Sequence, residues 1–228
     1  MSQSQDQLKM AAAQSAVALV TDGMVVGLGS GSTAAFAVTE LARRVKDGLR
    51  VRGVPTSERT ATQARAMGIP ICSLEEEPSV AMTIDGADQV ELGTLNLIKG
   101  HGGALLREKI VASVSKKLVI IVHDSKLVSR LGTGEQVPVE VVPFGWQGTA
   151  ERLSKLGAKP SLRKNSDGEP FHSDGGNYIL DCMFDVAVAA ATLATEIDHV
   201  VGVVEHGFFI GLTSEVHVAG AGGVRVLT

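Results

Sequence analysis

Cysteine, aromatic residues and positive charge are all scarce in this sequence of 228 residues. The two cysteines, Cys72 and Cys182, are too few for a disulfide framework and indicate two buried thiols in a reducing compartment. Aromatic residues make up 4% of the chain, and so few rings argue against an RNA-stacking surface. With 21 basic and 25 acidic residues the net charge is -4, whereas a nucleic-acid-binding protein would show a basic stripe.

Long apolar runs are missing as well. No stretch approaches the roughly 18 residues that a membrane-spanning helix needs, and the polar N-terminus MSQSQDQLKM does not have the pattern of a secretory signal. We therefore expect a cytoplasmic protein that binds neither membranes nor nucleic acid. The hydrophobic fraction of 44% and the charged fraction of 20% are typical of a globular chain with one large or two small domains.

Strand and helix patterns alternate up to residue 123. We predict strands at 24–29, 49–54, 69–74, 80–84 and 116–123, helices at 6–20, 33–46, 57–68 and 104–114, and a loop over 85–103. Such alternation indicates parallel strands that are covered by helices on both faces. The pattern therefore predicts an α/β fold with a doubly wound Rossmann-like main domain, which would bind its ligand where the strands end.

The pattern changes in the second half of the chain. We predict strands at 137–142, 158–163, 177–183 and 199–204, and helices at 148–157 and 186–196. This βαββαβ order is that of a smaller ferredoxin-like α+β domain. The predicted division is a Rossmann-like catalytic domain at 1–135 plus 205–228, to which the C-terminal tail returns, and a ferredoxin-like domain at 136–204.

The first candidate site is the segment Gly27–Thr33, GLGSGST, between a predicted strand and a predicted helix. Glycines allow a ligand to approach the backbone closely, and a helix N-terminus offers free N–H groups to a phosphate. Ser30, Ser32 and Thr33 add hydroxyl donors, so phosphate binding is favoured over an ordinary capped turn. A dinucleotide site is less favoured, because Ser32 stands where GxGxxG has its third glycine, and the P-loop sequence GK[ST] is absent.

Carboxylates and lysines follow other predicted strand ends. Asp85 and Asp88, in the segment DGAD after the strand 80–84, could share one cleft and handle protons, or they could form an Asp-rich turn that caps its own backbone. Lys126, in the segment DSK after the strand 116–123, could face the same edge, although most single lysines are surface residues.

The glycine-rich segment KGHGGA at 99–104 is the third element of this edge. Lys99 could place a positive charge beside a developing oxyanion. Glu108 follows on the next helix, where the alternative is a solvated charge paired with a neighbouring lysine or arginine. His101 is favoured as a residue that binds no metal, because no second ligand lies at helical spacing and no Cys/His cluster occurs. We therefore expect no metal site.

Taken together and in this order, the motifs resemble those of the type A ribose-5-phosphate isomerases. The matching segments are GLGSGST at 27–33, DGAD at 85–88, KGHGGALLREK at 99–109, DSK at 124–126 and PVEVVPF at 138–144. The resemblance covers nearly the whole chain. It implies interconversion of ribose 5-phosphate and ribulose 5-phosphate in the non-oxidative pentose phosphate pathway, without metal or organic cofactor. It also implies a cytosolic homo-oligomer, a homodimer or homotetramer, whose partner molecule is a small sugar phosphate.

The resemblance further implies a role for each matched residue. Glu108 corresponds to the general base, Asp85 and Asp88 to the carboxylates that bind the sugar and open its ring, and Lys99 to the lysine that polarises the reacting oxygens. The substrate-binding set that it implies is Ser30, Gly31, Ser32, Thr33, Asp85, Gly86, Ala87, Asp88, Lys99, Gly100, His101, Gly102, Lys126 and Lys9. Two departures are that Asp88 and Lys99 lie one residue further apart than in some members, and that His101 interrupts the glycine run.

The residue types suit this chemistry. Moving a carbonyl from C1 to C2 needs one base that removes and returns a carbon-bound proton, and burial tunes the pKa of such a carboxyl toward neutrality. The enediolate needs cationic or N–H donors. Three alternatives remain: a sugar-phosphate sensor without turnover, another sugar-phosphate enzyme of the superfamily such as an amino-sugar deaminase or a CoA transferase, and a nicotinamide enzyme. The presence of Glu108 and the lack of a spare DNA-binding segment argue against the sensor.

Overall fold

The computed structural model describes residues 4–184 and 189–228, which form two compact units. The first unit comprises 1–87, 107–127 and 212–228, and the second comprises 88–106 and 128–211. The predicted boundaries, at 135/136 and 204/205, differ from this division chiefly because residues 88–106 belong to the second unit.

Six α-helices and fourteen strands are present in the described residues. The helices are α1 (Gln5–Val17), α2 (Gly31–Lys46), α3 (Glu58–Ala66), α4 (Leu105–Ser113), α5 (Trp146–Lys155) and α6 (Ala190–Asp198). The strands are β1 (Val25–Leu28), β2 (Arg52–Pro55), β3 (Met82–Gly86), β4 (Gln89–Glu91), β5 (Leu97–Ile98), β6 (Leu118–His123), β7 (Leu127–Val128), β8 (Val137–Val141), β9 (Ala158–Leu162), β10 (Tyr178–Phe184), β11 (Val203–His206), β12 (Phe208–Phe209), β13 (Glu215–Gly220) and β14 (Gly223–Leu227).

A six-stranded sheet is the centre of the first unit. Its strand order is β14-β13-β6-β3-β1-β2, and every pairing is parallel except that of β14 with β13. Strands β1 and β6 are buried along their whole length. Helices α1 and α2 share one apolar cluster with the sheet, and Val111 of α4 packs in another cluster with Val25 and Val54, so helices cover both faces, as predicted for a doubly wound sheet. The C-terminal tail joins this sheet as β13 and β14.

Helix α1 is shorter than predicted. It begins with a capping box, in which the Ser4 hydroxyl accepts the Gln7 N–H and the Gln7 side chain accepts the Ser4 N–H. It ends at Val17 rather than at residue 20, because the Arg44 guanidinium binds the carbonyl oxygens of Val17 and Val20 at 2.5 and 2.9 Å and satisfies this end of the helix. Leu19, within the predicted helix but beyond its observed end, is 38% exposed.

The predicted strand at 69–74 is reduced to a single bridge between Gly53 and Ile71. Gly53 donates to the Pro70 carbonyl at 2.8 Å and accepts from the Cys72 N–H at 3.0 Å. Pro70 has no N–H to extend this ladder. Beyond it, the Ser73 N–H donates to the side chain of Glu76 and starts a turn.

The second unit contains the predicted ferredoxin-like arrangement. The chain order β8-α5-β9-β10-α6-β11 forms an antiparallel sheet of order β11-β8-β10-β9. Its apolar face packs with both helices around buried side chains such as Leu153, Leu180 and Ile197. The predicted helix at 186–196 is described from Ala190 to Asp198, and residues 185–188 lie outside the described part of the chain.

A small third sheet of order β12-β5-β4-β7 explains why 88–106 belongs to the second unit. The sequence predicts a loop over 85–103, but β4 and β5 form an antiparallel hairpin with Gln89 opposite Ile98 and Val90 opposite Leu97. Strand β5 pairs in turn with β12. These strands are only two or three residues long, which is too short for an alternation pattern to reveal them.

Both cysteines are free and buried, as the sequence predicts. Burial raises the pKa of the Cys182 thiol to about 12, so it stays protonated and unreactive in the folded chain. In the ranges that the structure covers, no helix combines the length and apolarity needed to cross a membrane.

Candidate functional site

In the first unit, the carboxyl ends of β1, β3 and β6 lie side by side, and Asp85 ties two of them together. Its Oδ1 accepts the N–H of Ser30 at 3.0 Å and that of Gly86 at 2.7 Å. Gly29 lies so close to Asp85 that a Cβ atom there would overlap the carboxylate. Glycine is therefore required at Gly29 for close approach, and the Asp85 carboxylate fixes the start of the loop.

Ser30 is part of the protein's own hydrogen-bond network rather than an open donor. Its hydroxyl lies 2.7 Å from Thr56 Oγ1, 2.9 Å from Ser57 Oγ and 3.3 Å from Thr60 Oγ1. Ser30 is the N-cap residue of α2, but its side chain makes no capping bond. Both its N–H and its hydroxyl are thus engaged internally. Ser30 therefore shapes the loop, and its contact with a phosphate stays a prediction.

The first turn of α2 presents the remaining predicted donors. Gly31 has a φ of +94°, a conformation that favours glycine, and it turns the chain into the helix. Ser32 is exposed and Thr33 is partly exposed, and the amides of this turn have no partner within the helix. A Cβ atom at Gly86 would lie 3.6 Å from Thr33 Cβ, so the helix start and the end of β3 are in contact. This turn has the geometry of an anion site.

Two lysines converge beside the end of β6. Lys126 lies on the single 3₁₀ turn Asp124–Lys126 that follows this strand. Burial lowers the pKa of His123, and the positive charges of Lys126 and Lys9 lower it further. Both lysines are therefore near enough to the same imidazole to influence its charge. His123 itself was not among the predicted site residues, although its place beside the DSK segment was a usable signal.

The lowered pKa of His123 predicts a pH-dependent stability. Because the folded state holds this imidazole neutral below its ordinary pKa of 6.5, the unfolded state binds more protons as the pH falls through that value. The free energy of unfolding should therefore decrease below pH 6.5, with full stability retained above it. Urea unfolding of the wild type and of His123→Gln between pH 5 and 8 tests this. The stability advantage of the wild type over the variant should shrink as the pH falls, and a constant difference would contradict the prediction.

In the second unit, the β4–β5 hairpin brings Asp88 and Lys99 together. Asp88 immediately precedes β4 and Lys99 immediately follows β5, and the Asp88 N–H donates to the Ile98 carbonyl at 2.8 Å. The Lys99 N–H donates to the Gly207 carbonyl at 2.9 Å, and its Nζ lies 5.4 Å from the centre of the Phe209 ring. Lys99 is 3% exposed, so its charge is held in a fixed and largely dehydrated position.

His101 connects the glycine-rich loop to Asp88. Its backbone N–H donates to Asp88 Oδ2 at 3.1 Å, and its ring Nδ1 lies 3.5 Å from Asp88 Oδ1. The other ring nitrogen lies 3.4 Å from Glu135 Oε1 and 3.3 Å from the Gln136 carbonyl oxygen. The imidazole thus stands between two carboxylates. The amides of Gly100 and Gly102 have no acceptor in the part of the chain that the structure describes.

Glu108 is not a solvated helix charge. It lies in the first turn of α4 and is 4% exposed. The neighbouring Arg107 does have the expected surface role, because its guanidinium pairs with the Glu58 carboxylate at 2.8 Å. The alternative of a solvated charge is therefore wrong for Glu108, and its role as the general base stays a prediction.

One group of side chains has the composition of a metal site, which the sequence analysis did not foresee. Asp198, Glu205 and His206 bring their ligand atoms within 4.8 Å of one another. However, His206 Nδ1 accepts the Phe208 N–H at 3.2 Å, which leaves the ring proton on Nε2, 3.1 Å from Asp198 Oδ1. Both ring nitrogens already have protein partners, so this imidazole has no lone pair ready for a cation.

Comparison with known proteins gives consistent results. The family model of ribose 5-phosphate isomerase A (phosphoriboisomerase A) matches residues 52–223. A ribose-5-phosphate isomerase A from Gloeobacter violaceus is 59% identical over 223 residues, covering 98% of this chain and 96% of the relative. A probable ribose-5-phosphate isomerase 3, chloroplastic, from Arabidopsis thaliana is 46% identical over 233 residues, covering 99% of this chain and 84% of the relative.

Solved structures agree over the full length. Ribose 5-phosphate isomerase A from Methanocaldococcus jannaschii has a TM-score of 0.94 at 40% identity, covering 99% of this chain and 100% of that one. A D-ribose-5-phosphate isomerase in complex with phospho-erythronic acid has a TM-score of 0.95 at 35% identity, covering 99% of each chain. The fold class is thereby confirmed, and this chain belongs to the ribose 5-phosphate isomerase A family.

Proposed function

We propose that this chain interconverts D-ribose 5-phosphate and D-ribulose 5-phosphate through an enediolate. The observation that carries the proposal is the placement of Asp88 and the buried Lys99 at the two strand ends that form the open end of the β4–β5 hairpin, in a family member that also has a buried Glu108. A carboxylate beside a cation can donate or accept protons at the sugar oxygens, while a separate base handles the carbon-bound proton.

Substrate binding begins at the phosphate. The first turn of α2 offers the amides of Gly31, Ser32 and Thr33 and the hydroxyls of the latter two, and Lys126 and Lys9 supply positive charge. Asp85 and the network around Ser30 keep this turn in place. The phosphate takes no part in the reaction, so its binding energy serves to orient the far end of the sugar.

Proton transfer follows ring opening. Asp88, with Asp85 as a second carboxylate near the sugar, assists the furanose to open. Glu108 then removes the proton from C2 of the aldose and returns it to C1, which gives the ketose. Lys99 and the amides of Gly100 and Gly102 stabilise the negative charge of the enediolate oxygens. No external oxidant or reductant is needed, because C2 is oxidised as C1 is reduced. The proton that leaves C2 is returned to C1, and the proton that the 2-hydroxyl loses is balanced by the one that the oxygen on C1 gains.

The test of this function is direct. Purified protein incubated with ribose 5-phosphate should form ribulose 5-phosphate, and the reverse reaction should reach the same equilibrium mixture. Phospho-erythronic acid, the ligand of the similar structure, should inhibit competitively, because its carboxylate presents two oxygens as the enediolate does. Binding of ribose 5-phosphate without formation of ketose would instead support the sensor alternative.

Removal of the phosphate contacts should weaken binding rather than chemistry. We expect Lys126→Ala and Thr33→Val each to raise KM for ribose 5-phosphate by roughly tenfold to a hundredfold, the value of one charge-assisted hydrogen bond. Turnover of unphosphorylated ribose should change little. Lys116→Ala is the matched control, since Lys116 is an exposed lysine before the opposite end of the same strand, β6. Equal losses of activity with ribose and ribose 5-phosphate would show that these residues do not bind the phosphate.

Activity should also survive chelation. The proposed reaction uses only carboxylates, a lysine and backbone amides, so dialysis against EDTA should leave kcat and KM unchanged. If EDTA abolished turnover and a divalent cation restored it, the roles of Lys99 and Glu108 given above would be wrong. A cytoplasmic location and a homodimeric or homotetrameric assembly are part of the same proposal, and size-exclusion chromatography with light scattering measures the latter.

A further inference from the structure

Arg163 follows β9 and carries a largely buried guanidinium, which the reaction as proposed does not use. Its side chain is 14% exposed, and its Nη1 donates to the carbonyl oxygens of Gly100 and His101, at 3.1 Å each. On its other side, Nε donates to Asp181 Oδ2 at 2.9 Å, and Nη2 donates to the second carboxylate oxygen. The planar guanidinium is therefore held by a bidentate carboxylate and grips two consecutive carbonyls of the glycine-rich loop.

Two glycines with positive φ shape the loop 99–103. Gly100 and Gly103 have φ values of +108° and +78°. Glycine has more backbone conformations available than other residues, so it gains more conformational freedom when a contact that holds it is lost. A Cβ atom at Gly103 would overlap the Phe171 ring, so this ring covers the end of the loop. The Arg163 guanidinium lies 5.8 Å from the centre of the same ring, and the Phe171 N–H donates to the Arg163 carbonyl at 2.9 Å.

The two carbonyls that Arg163 binds determine where the following amides point. In a trans peptide the C=O of one residue and the N–H of the next point in opposite directions. The Gly100 carbonyl thus fixes the His101 N–H, which donates to Asp88 Oδ2 at 3.1 Å. The His101 carbonyl fixes the Gly102 N–H in the same way. A cation on the carbonyl side also polarises each peptide and makes its N–H a stronger donor.

We propose that Arg163, oriented by Asp181, is a positioning residue for the isomerisation. By holding the two carbonyls of the loop, it aims one amide at the Asp88 carboxylate and the next at the substrate oxygens. The inference rests on the proposed function for Asp88 and the loop, and it goes beyond the family's matched motifs, none of which contains Arg163. Lysine cannot replace it, because an ammonium group lacks the fork that joins a carboxylate to two carbonyls.

The first test is Arg163→Lys, which keeps the charge. We expect kcat for ribose 5-phosphate to fall by about tenfold to a hundredfold, the usual effect of a small misplacement of catalytic groups, with KM changed less than about threefold. The thermal midpoint should stay close to that of the wild type. Arg152→Lys is the matched control, because Arg152 is an exposed arginine of the same unit that also donates to a glycine carbonyl. Should Arg163→Lys fold poorly, Asp181→Asn is the second variant, and we expect it to lower kcat as well.

A double-mutant cycle separates positioning from a general structural role. If Arg163 acts through Asp88, the loss caused by Arg163→Lys should shrink to less than about threefold in an Asp88→Asn background. If the decreases in kcat caused by Arg163→Lys and Asp88→Asn multiplied in full, the two substitutions would act independently and the proposal would be overturned.

Amide hydrogen exchange of the ligand-free protein provides a readout that needs no activity. The amide of His101, which donates to Asp88 Oδ2, should exchange at least about tenfold faster in Arg163→Lys, with the core of β8 and β10 unchanged. If the wild type formed no ketose, the proposed function would fail whatever the exchange rates were. If the wild type were active and loop exchange in the variant were unchanged, the positioning role alone would be refuted.

Discussion

Glu108→Gln should lower the turnover of ribose 5-phosphate by about 10²–10⁴-fold while substrate binding persists. Glutamine has the same shape as the buried Glu108 side chain but cannot accept the carbon-bound proton. The decisive measurement is loss of deuterium from C2 of labelled ribose 5-phosphate, which reports the first proton transfer directly. It should slow in parallel with turnover.

The control for this variant is Glu40→Gln. Glu40 is another buried glutamate on a helix of the first unit, 8% exposed and paired with Arg43 at 2.7 Å. Its replacement should affect stability more than turnover, because it lies on α2 away from the strand ends. If Glu108→Gln retained turnover within tenfold of the wild type, Glu108 would not be the base.

Lys99→Ala should lower kcat by about 10²–10³-fold, the effect of removing one donor to a developing oxyanion. The KM should change much less, because the negative charge on the oxygens of C1 and C2 develops only in the enediolate and is absent from those oxygens in the bound substrate. Lys99→Met is the sharper variant, since it keeps an apolar chain near the Phe209 ring and removes only the cation. Both variants should also weaken inhibition by phospho-erythronic acid, whose carboxylate would meet the same charge.

An exposed lysine of the second unit provides the comparison. Lys159→Ala, on β9, should leave kcat unchanged. A Lys99 variant with a raised KM and an unchanged kcat would indicate that Lys99 binds the phosphate. The loop amides alone would then stabilise the enediolate.

The parts of the fold that follow from repeated local patterns were predictable. Alternating apolar strands and helices predict a parallel sheet, and a parallel sheet brings the segments after β1, β3 and β6 to one edge. The candidate positions of Thr33, Asp85 and Lys126 follow from that rule alone. The βαββαβ order of the second half was equally readable, because its strands and helices are long enough to show their periods.

Side-chain direction within a motif was not predictable. Ser30, Ser32 and Thr33 look equivalent in sequence, yet Ser30 bonds to Thr56 and two other hydroxyls while Ser32 is exposed. The choice depends on what β2 and α3 place opposite the loop, which is a tertiary property. Arg163 was missed for a similar reason, because its partners in the loop lie about sixty residues away in the chain and no motif joins them.

The hairpin at 89–98 was missed because its strands are short, and it has a consequence for how this family varies. Asp88 and Lys99 are neighbours through the pairing at the open end of the hairpin, whereas the chain reverses at the closed end, around Leu95 with its φ of +56°. Residues can therefore be gained or lost in the reversal without moving either functional group. An insertion inside β4 or β5 would instead turn one of the two groups to the opposite face. Natural length variation between this aspartate and this lysine should accordingly be confined to the closed end.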